Sequence, residues 1–169
     1  MKRLMTLALA LMLVFSLTAC VNREEPADYP EDFRFYLEWD VGGDSTYDSE
    51  TGKLVKQKSA SKVEDYTTTF FLSDEQKAEL FALISDMEPE TYPDNYNPID
   101  GETIPAMNIV LSVTYNGKTK TITCGGVALV GKADGIAGEK FMAVYNRIVG
   151  MIMQSAEWKQ LPDYEKHYM

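Results

Sequence analysis

The sequence predicts an α+β domain: a mostly antiparallel sheet of about five strands with two amphipathic helices packed on one face. Three observations carry this. Short runs with apolar residues at every second position recur along the chain. Two other segments repeat apolar residues every three or four positions, the spacing of a half-buried helix. Their order is strands, helix, hairpin, helix, which lays helices on one side of an antiparallel sheet instead of alternating them with parallel strands.

The first strand is expected over 33–39, where Phe33, Phe35, Leu37 and Trp39 share a face. Asp40, Gly42, Gly43 and Asp44 break it. A short strand follows at 46–48. A turn over 48–52 contains Asp48 and Gly52, and the chain leaves it through 53–58. A second strong strand covers 64–72, with Tyr66, Thr68 and Phe70 alternating with Thr67, Thr69 and Phe71.

Ser73-Asp74-Glu75-Gln76 is a capping box: the Ser73 hydroxyl can accept from the Gln76 N–H while the Gln76 side chain reaches back. The helix it opens carries Leu80, Phe81, Ile84 and Met87 on one stripe and stops before Pro89. A long loop, 88–104, contains three prolines. Strand 107–115 turns at Asn116-Gly117, a type I′ hairpin signal, into strand 118–124. A glycine-rich connector over 125–138 precedes a helix at 139–158, with Phe141, Tyr145, Ile148 and Ile152 on one face. Gly150 interrupts that helix, which implies close packing or a local bend. Leu161-Pro162 closes the domain, and no internal repeat is present.

The segment before the domain sets its location. Lys2 and Arg3 precede an uncharged run over 4–19. This is shorter than the ~20 residues of a spanning helix and matches the apolar core of a secretory signal peptide. It ends in Leu17-Thr18-Ala19-Cys20, which resembles the lipobox of bacterial lipoproteins. The resemblance implies that Leu17, Thr18 and Ala19 are read by the signal peptidase. It implies that Cys20 takes a diacylglyceryl thioether and further acyl chains such as palmitate, and becomes the first residue of the mature chain. Two or more chains anchor a protein stably. No other cofactor is expected. The expected layout is therefore a leader over 1–19, a lipidated Cys20 with an acidic, disordered tether over 20–32, and one domain over 33–169. The tether has two prolines and little to bury, so it fits a disordered spacer, with an irregular strap lying on the domain as the alternative for 29–32.

The chain carries a net charge of −10, and losing the leader's two cations and no acids takes it to −12. That argues against nucleic acid and against anionic lipid heads as partners. Of two cysteines, a lipidated Cys20 leaves Cys124 without an intramolecular partner, so no disulfide framework is expected and Cys124 reads as a small buried residue. The only histidine is His167, in a polar tail, which removes Ser-His-Asp and Cys-His catalysis and the common zinc clusters.

Ser59-Ala60-Ser61-Lys62 matches the Ser-x-x-Lys dyad by chance, since it sits between strands and the nearest Lys-Thr-Gly candidate is Lys118-Thr119-Lys120. Gly125, Gly126 and Gly131 lack the spacing of a phosphate loop. Asp40, Asp44, Asp48 and Glu50, and then Asp94, Asp100 and Glu102, lack the alternation of an EF-hand loop and read as solvated acids, with a looser calcium site as the alternative. No metal site is expected. The long loop is the candidate binding surface. Tyr92, Asp94, Asn95, Tyr96, Asn97 and Asp100, with Ile99, mix aromatic and hydrogen-bonding side chains as recognition surfaces do; a loop simply packed on the sheet is the competing reading.

The run Tyr47-Asp48-Ser49-Glu50-Thr51-Gly52-Lys53-Leu54 carries a wider resemblance. It continues through Leu72-Ser73-Asp74-Glu75, Tyr92-Pro93, Asn116-Gly117-Lys118 and Glu157-Trp158-Lys159-Gln160-Leu161-Pro162. The chain resembles uncharacterised small lipoproteins of Gram-positive, gut-type bacteria. Those motifs are turns, a cap and a closing Leu-Pro, so the resemblance implies a lipid-anchored envelope domain and transfers no catalytic residue. The expected function is a binding or interaction module on the extracytoplasmic face of the cell membrane, meeting an envelope protein or polymer. The alternatives are a small envelope hydrolase with a carboxylate-based site, or an accessory solute-binding lipoprotein.

Overall fold

The computed structural model describes residues 28–41, 44–58, 65–101 and 103–163. The leader, Cys20 with the Leu17-Thr18-Ala19 run before it, the Ser59-to-Lys62 motif and His167 lie outside the described residues.

Six strands form one antiparallel sheet: β1 (Arg34–Trp39), β2 (Ser45–Asp48), β3 (Lys53–Lys56), β4 (Tyr66–Thr69), β6 (Met107–Tyr115) and β7 (Lys118–Val127), in the order β4-β3-β2-β1-β6-β7. Between these last two groups falls β5 (Ile99–Asp100), which pairs with β8 (Lys132–Ala133) as a separate two-stranded ribbon. The α+β class is therefore as the sequence predicts, with six strands in the main sheet instead of five. The extra strand is β3. Its four residues bury only Leu54 fully, too few to show a period of two. It forms because β2 and β4 pair with it on both sides.

The turn before β3 is built by Asp48, whose Oδ1 accepts from the N–H groups of Glu50 and Thr51 (2.9 and 3.3 Å). At Asn116-Gly117 both φ angles are positive, 50° and 71°, as the type I′ hairpin requires. Register follows from β1, whose Leu37 sits opposite Leu111, which in turn faces Ile122 on β7.

Helix α1 (Asp74–Met87) starts on the capping box read from the sequence. Ser73 Oγ accepts from Gln76 N at 3.3 Å, and Gln76 Oε1 accepts from Ser73 N at 2.9 Å. A short 3-10 turn (Pro89–Thr91) follows it. The second helix differs from expectation. It begins inside the glycine-rich connector as α2 (Gly135–Gln154), stops at Ser155, and resumes as α3 (Ala156–Gln160). Ser155 is extended (φ −64°, ψ 154°), and its Oγ accepts from Trp158 N at 3.1 Å. A serine that caps a new helix withdraws from the old one, which the apolar spacing alone does not reveal. Gly150 causes neither close packing nor the break: a Cβ there would meet nothing within 4 Å.

One face of the sheet and the two longer helices enclose the core. Leu37, Tyr47, Leu54, Ile109, Leu111, Ile122 and Cys124 point from the strands toward Leu80 and Ile84 of α1 and Phe141, Ile148 and Ile152 of α2, all at or near complete burial. Arg147 and Glu79 tie the helices together through two 2.6 Å contacts on their solvent side. The opposite sheet face carries Tyr36, Thr46, Ser112, Thr119, Thr121 and Thr123 and stays polar, as an antiparallel sheet with one solvated face does. At the closing end, Trp158 stacks near Trp39 (6.0 Å between ring centres), and Lys56 lies over Trp158 while donating to the Pro162 carbonyl at 2.8 Å.

Residues 29–32 form a strap, the alternative to a free tether at this point. The Tyr29 ring packs edge-on against Phe33, and its hydroxyl donates to Asp74 Oδ1 at 2.9 Å. The Asp32 carboxylate accepts from the N–H groups of Asn116 and Gly117 (2.9 and 2.7 Å), pinning the strap to the hairpin turn.

Candidate binding groove and loop

The long loop divides into an inward aromatic half and an outward polar half. Tyr92 is buried, donates to the Ala137 carbonyl at 2.7 Å, and sets its ring edge-on to Tyr96. The Tyr96 hydroxyl is also buried but has no hydrogen-bond partner with acceptable geometry among the described residues. Burial pushes its pKa up to about 12, and the negative charge of nearby Asp134 adds to the rise. These two tyrosines are wall, packed on Phe141 of α2, and not a presented surface.

Asp94, Asn95, Asn97 and Asp100 remain exposed. Asn97 Oδ1 accepts from Ile99 N (3.3 Å), so it spends its carbonyl on the loop itself. Asp100 belongs to the β5–β8 ribbon, opposite Lys132. Asp94 and Asn95 lie beside β7: Thr123 N donates to the Asp94 carbonyl (2.8 Å) and Tyr96 N to the Thr123 carbonyl (3.0 Å), a single parallel bridge on the edge of the sheet. The Asp94 carboxylate then takes Lys120 Nζ at 2.6 Å. The six residues singled out in the sequence thus do not converge on one site.

The loop instead helps frame a groove the sequence did not announce. Pro89 and Glu90 of the 3-10 turn face Val113, Tyr115, Asn116, Lys118, Thr119 and Lys120 of the β6–β7 hairpin across about 290 Å³. Val113, Tyr115 and Pro89 make the apolar part. Tyr115 donates weakly to Glu90 (3.4 Å), and Lys118 has no ion-pair partner among the described residues. These residues lie more than twenty positions apart in two unrelated segments, so no local motif links them. The usable signals were the Asn-Gly turn and the proline ending α1.

The groove adjoins an open sheet edge. Thr123 turns its N–H and C=O away from β6 toward the loop. Backbone groups in an antiparallel strand alternate in direction. Thr121 and Thr119 therefore face the same way, and among the described residues no backbone group pairs with them there. Their side chains are occupied on the sheet face, Thr121 donating to Ser112 (3.0 Å) and Thr119 bonded to Thr114 (2.8 Å).

Among the described residues no two acids face each other as a catalytic pair would. A smaller cavity of about 160 Å³ under the strap brings Glu31, Asp32 and Glu50 near Arg34 and Lys77. The Gly117 N–H holds the Asp32 carboxyl below its ordinary range, and Glu50 pairs with Arg34 at 3.4 Å. Glycoside hydrolysis by two carboxyls needs one kept protonated. Among the described residues the carboxyl whose pKa rises is Asp40, because it is half-buried; it accepts from the Ser45 hydroxyl at the other end of β1. Ser45 and Gln57 are themselves buried, with Gln57 donating to Ser45 Oγ and Asp44, so this cluster is internally satisfied and closed. Cys124 is fully buried, and burial pushes its thiol up to about 12. Among the described residues no three His, Cys, Asp or Glu side chains gather to hold a metal, and no helix is long and apolar enough to cross a membrane.

No family model matches this chain, and no curated protein is significantly similar to it.

Proposed function

We propose that this chain is a lipid-anchored lipoprotein of the extracytoplasmic face of a bacterial membrane, and that its α+β domain is a binding module for an envelope protein or polymer. Acyl chains on Cys20 hold it to the membrane, after removal of 1–19. The observation that carries the binding reading is the groove of about 290 Å³ lying against the stretch of β7 that no backbone group pairs with among the described residues. An extended segment laid along that edge would bond the Thr119 and Thr121 backbone, while one of its side chains entered between Pro89 and Tyr115. Main-chain pairing then supplies affinity and the groove supplies selectivity. Lys118, free at the rim, would meet an acidic group of the ligand.

A photoreactive phenylalanine analogue in place of Tyr115 tests this in intact cells. The expected result is a discrete adduct that disappears when Thr121→Pro is added. Proline removes an outward N–H, which an edge strand tolerates, so the fold should survive. An adduct unchanged by Thr121→Pro, with the thermal midpoint preserved, would sink the groove.

A further inference from the structure

Six large apolar side chains stand well exposed among the described residues, and four of them cluster around the β5–β8 ribbon: Ile104 (98 %), Val130 (82 %), Ile136 (74 %) and Leu129 (56 %). Singly exposed apolar residues need no explanation, but four on the segments flanking one two-residue ribbon, in so acidic a protein, do. The platform beneath them is tightly built. A Cβ on Gly131 would lie 2.5 Å from the Asp100 carbonyl, one on Gly101 2.9 Å from the Val130 carbonyl, and one on Gly138 2.5 Å from the Pro98 carbonyl. Three glycines thus let the loops before and after the ribbon, and the first turn of α2, close on one another. The apolar side chains are what that packing leaves outside.

Two further observations say what covers them. Among the described residues, the exposed charged side chains on the ribbon and the first turn of α2 are Asp100, Asp134 and Glu139 against the one cation Lys132. The patch also lies at the far end of the sheet from the chain's entry. Asp32 is fixed at the Asn116-Gly117 turn, whereas the ribbon follows Val127, which pairs with Met107 at the other end of β6. Eight residue steps of β6 separate those ends by about 27 Å. A second copy would bring the same acidic rim, an anionic lipid surface would be repelled by it, and the residues before 28 join at the opposite end.

We propose that this tip docks a partner protein through a segment whose apolar side chains are flanked by Lys or Arg. The proposal rests on the binding-module reading and adds a second contact to it, turned away from the point where the tether enters.

The test uses the full chain held by its anchor in phosphatidylcholine vesicles, titrated with a fluorescent peptide of three leucines flanked by two lysines on each side. The expected result is saturable binding that weakens about tenfold or more in the Val130→Ser, Ile136→Ser double variant, since each tenfold is only about 1.4 kcal/mol and burying one such side chain is worth that much. A peptide with glutamates in place of the lysines should not bind. Equal binding by both peptides, or an unchanged titration in the double variant, overturns the proposal. So does a double variant that instead alters sedimentation of the protein alone, or its contact with phosphatidylglycerol vesicles, because the patch would then serve self-association or lipid. An unchanged titration alongside a retained Thr121→Pro effect on the Tyr115 adduct removes this proposal alone; failure of both removes the module.

Discussion

Two glycines of α2 should respond in opposite directions to the same substitution. In Gly150→Ala the added Cβ meets nothing within 4 Å. The folded state therefore gains no contact and suffers no clash, and the effect is the helix propensity difference and the reduced freedom of the unfolded chain. That stabilises by about 0.5–1 kcal/mol. For a domain of this size it raises the thermal midpoint by roughly 2–5 °C. Gly138→Ala enjoys the same propensity gain, but its Cβ would sit 2.5 Å from the Pro98 carbonyl oxygen and 3.2 Å from the Ala133 carbonyl carbon. Backbone on both sides must move, and overpacking of this kind costs about 1–3 kcal/mol. The propensity gain is common to both, so the two variants should differ by roughly 1–3 kcal/mol, the overpacking cost alone. Urea denaturation with linear extrapolation, run on both in parallel, reads the difference directly. A destabilised Gly150→Ala, or a Gly138→Ala as stable as it, would refute the packing drawn here for α2.

Cys124→Ala should cost about 1–2 kcal/mol through the space it leaves in the core. In the folded protein at pH 8 the Cys124 peptide should resist alkylation until denaturant is added; rapid labelling of the native state would contradict its burial. Asp40→Asn tests the half-buried carboxyl at the end of β1. Burial raises the folded-state pKa of Asp40, with Asp44 adding to the rise and Ser45 and Lys56 opposing it. The native state thus holds that proton more tightly than the unfolded chain does. The contribution favours folding at low pH and is lost as pH rises through the folded pKa. Asp40→Asn should therefore match or exceed the parent's thermal midpoint at pH 7, with the gap closing toward pH 4; a gap that widens on acidification would refute the sign.

The elements with local signals were legible in the sequence. Ser73 and Gln76 specify the start of α1 by themselves, Asn116-Gly117 specifies the hairpin, and Phe35, Leu37 and Trp39 specify the buried face of β1. What was not legible depends on partners far away in the chain. β3 exists because β2 and β4 flank it, and the β5–β8 ribbon joins segments more than thirty residues apart. The site divides in the same way. Tyr92 and Tyr96 look like recognition residues by type, yet their rings face Phe141 of α2, a partner that no local pattern names. The groove between Pro89 and Tyr115 has no local pattern at all, because the 3-10 turn and the hairpin meet only in the folded chain.

Everything proposed for function places this domain at a membrane surface, and that placement rests on Cys20. The most direct measurement is the mass of the N-terminal peptide of the mature protein recovered from bacterial membranes. The expected peptide begins at Cys20 and carries a diacylglyceryl thioether, with 1–19 removed and the protein lost from the membrane fraction in Cys20→Ala. A mature chain that begins elsewhere, or an unmodified Cys20 on a protein still held in the membrane, would contradict it.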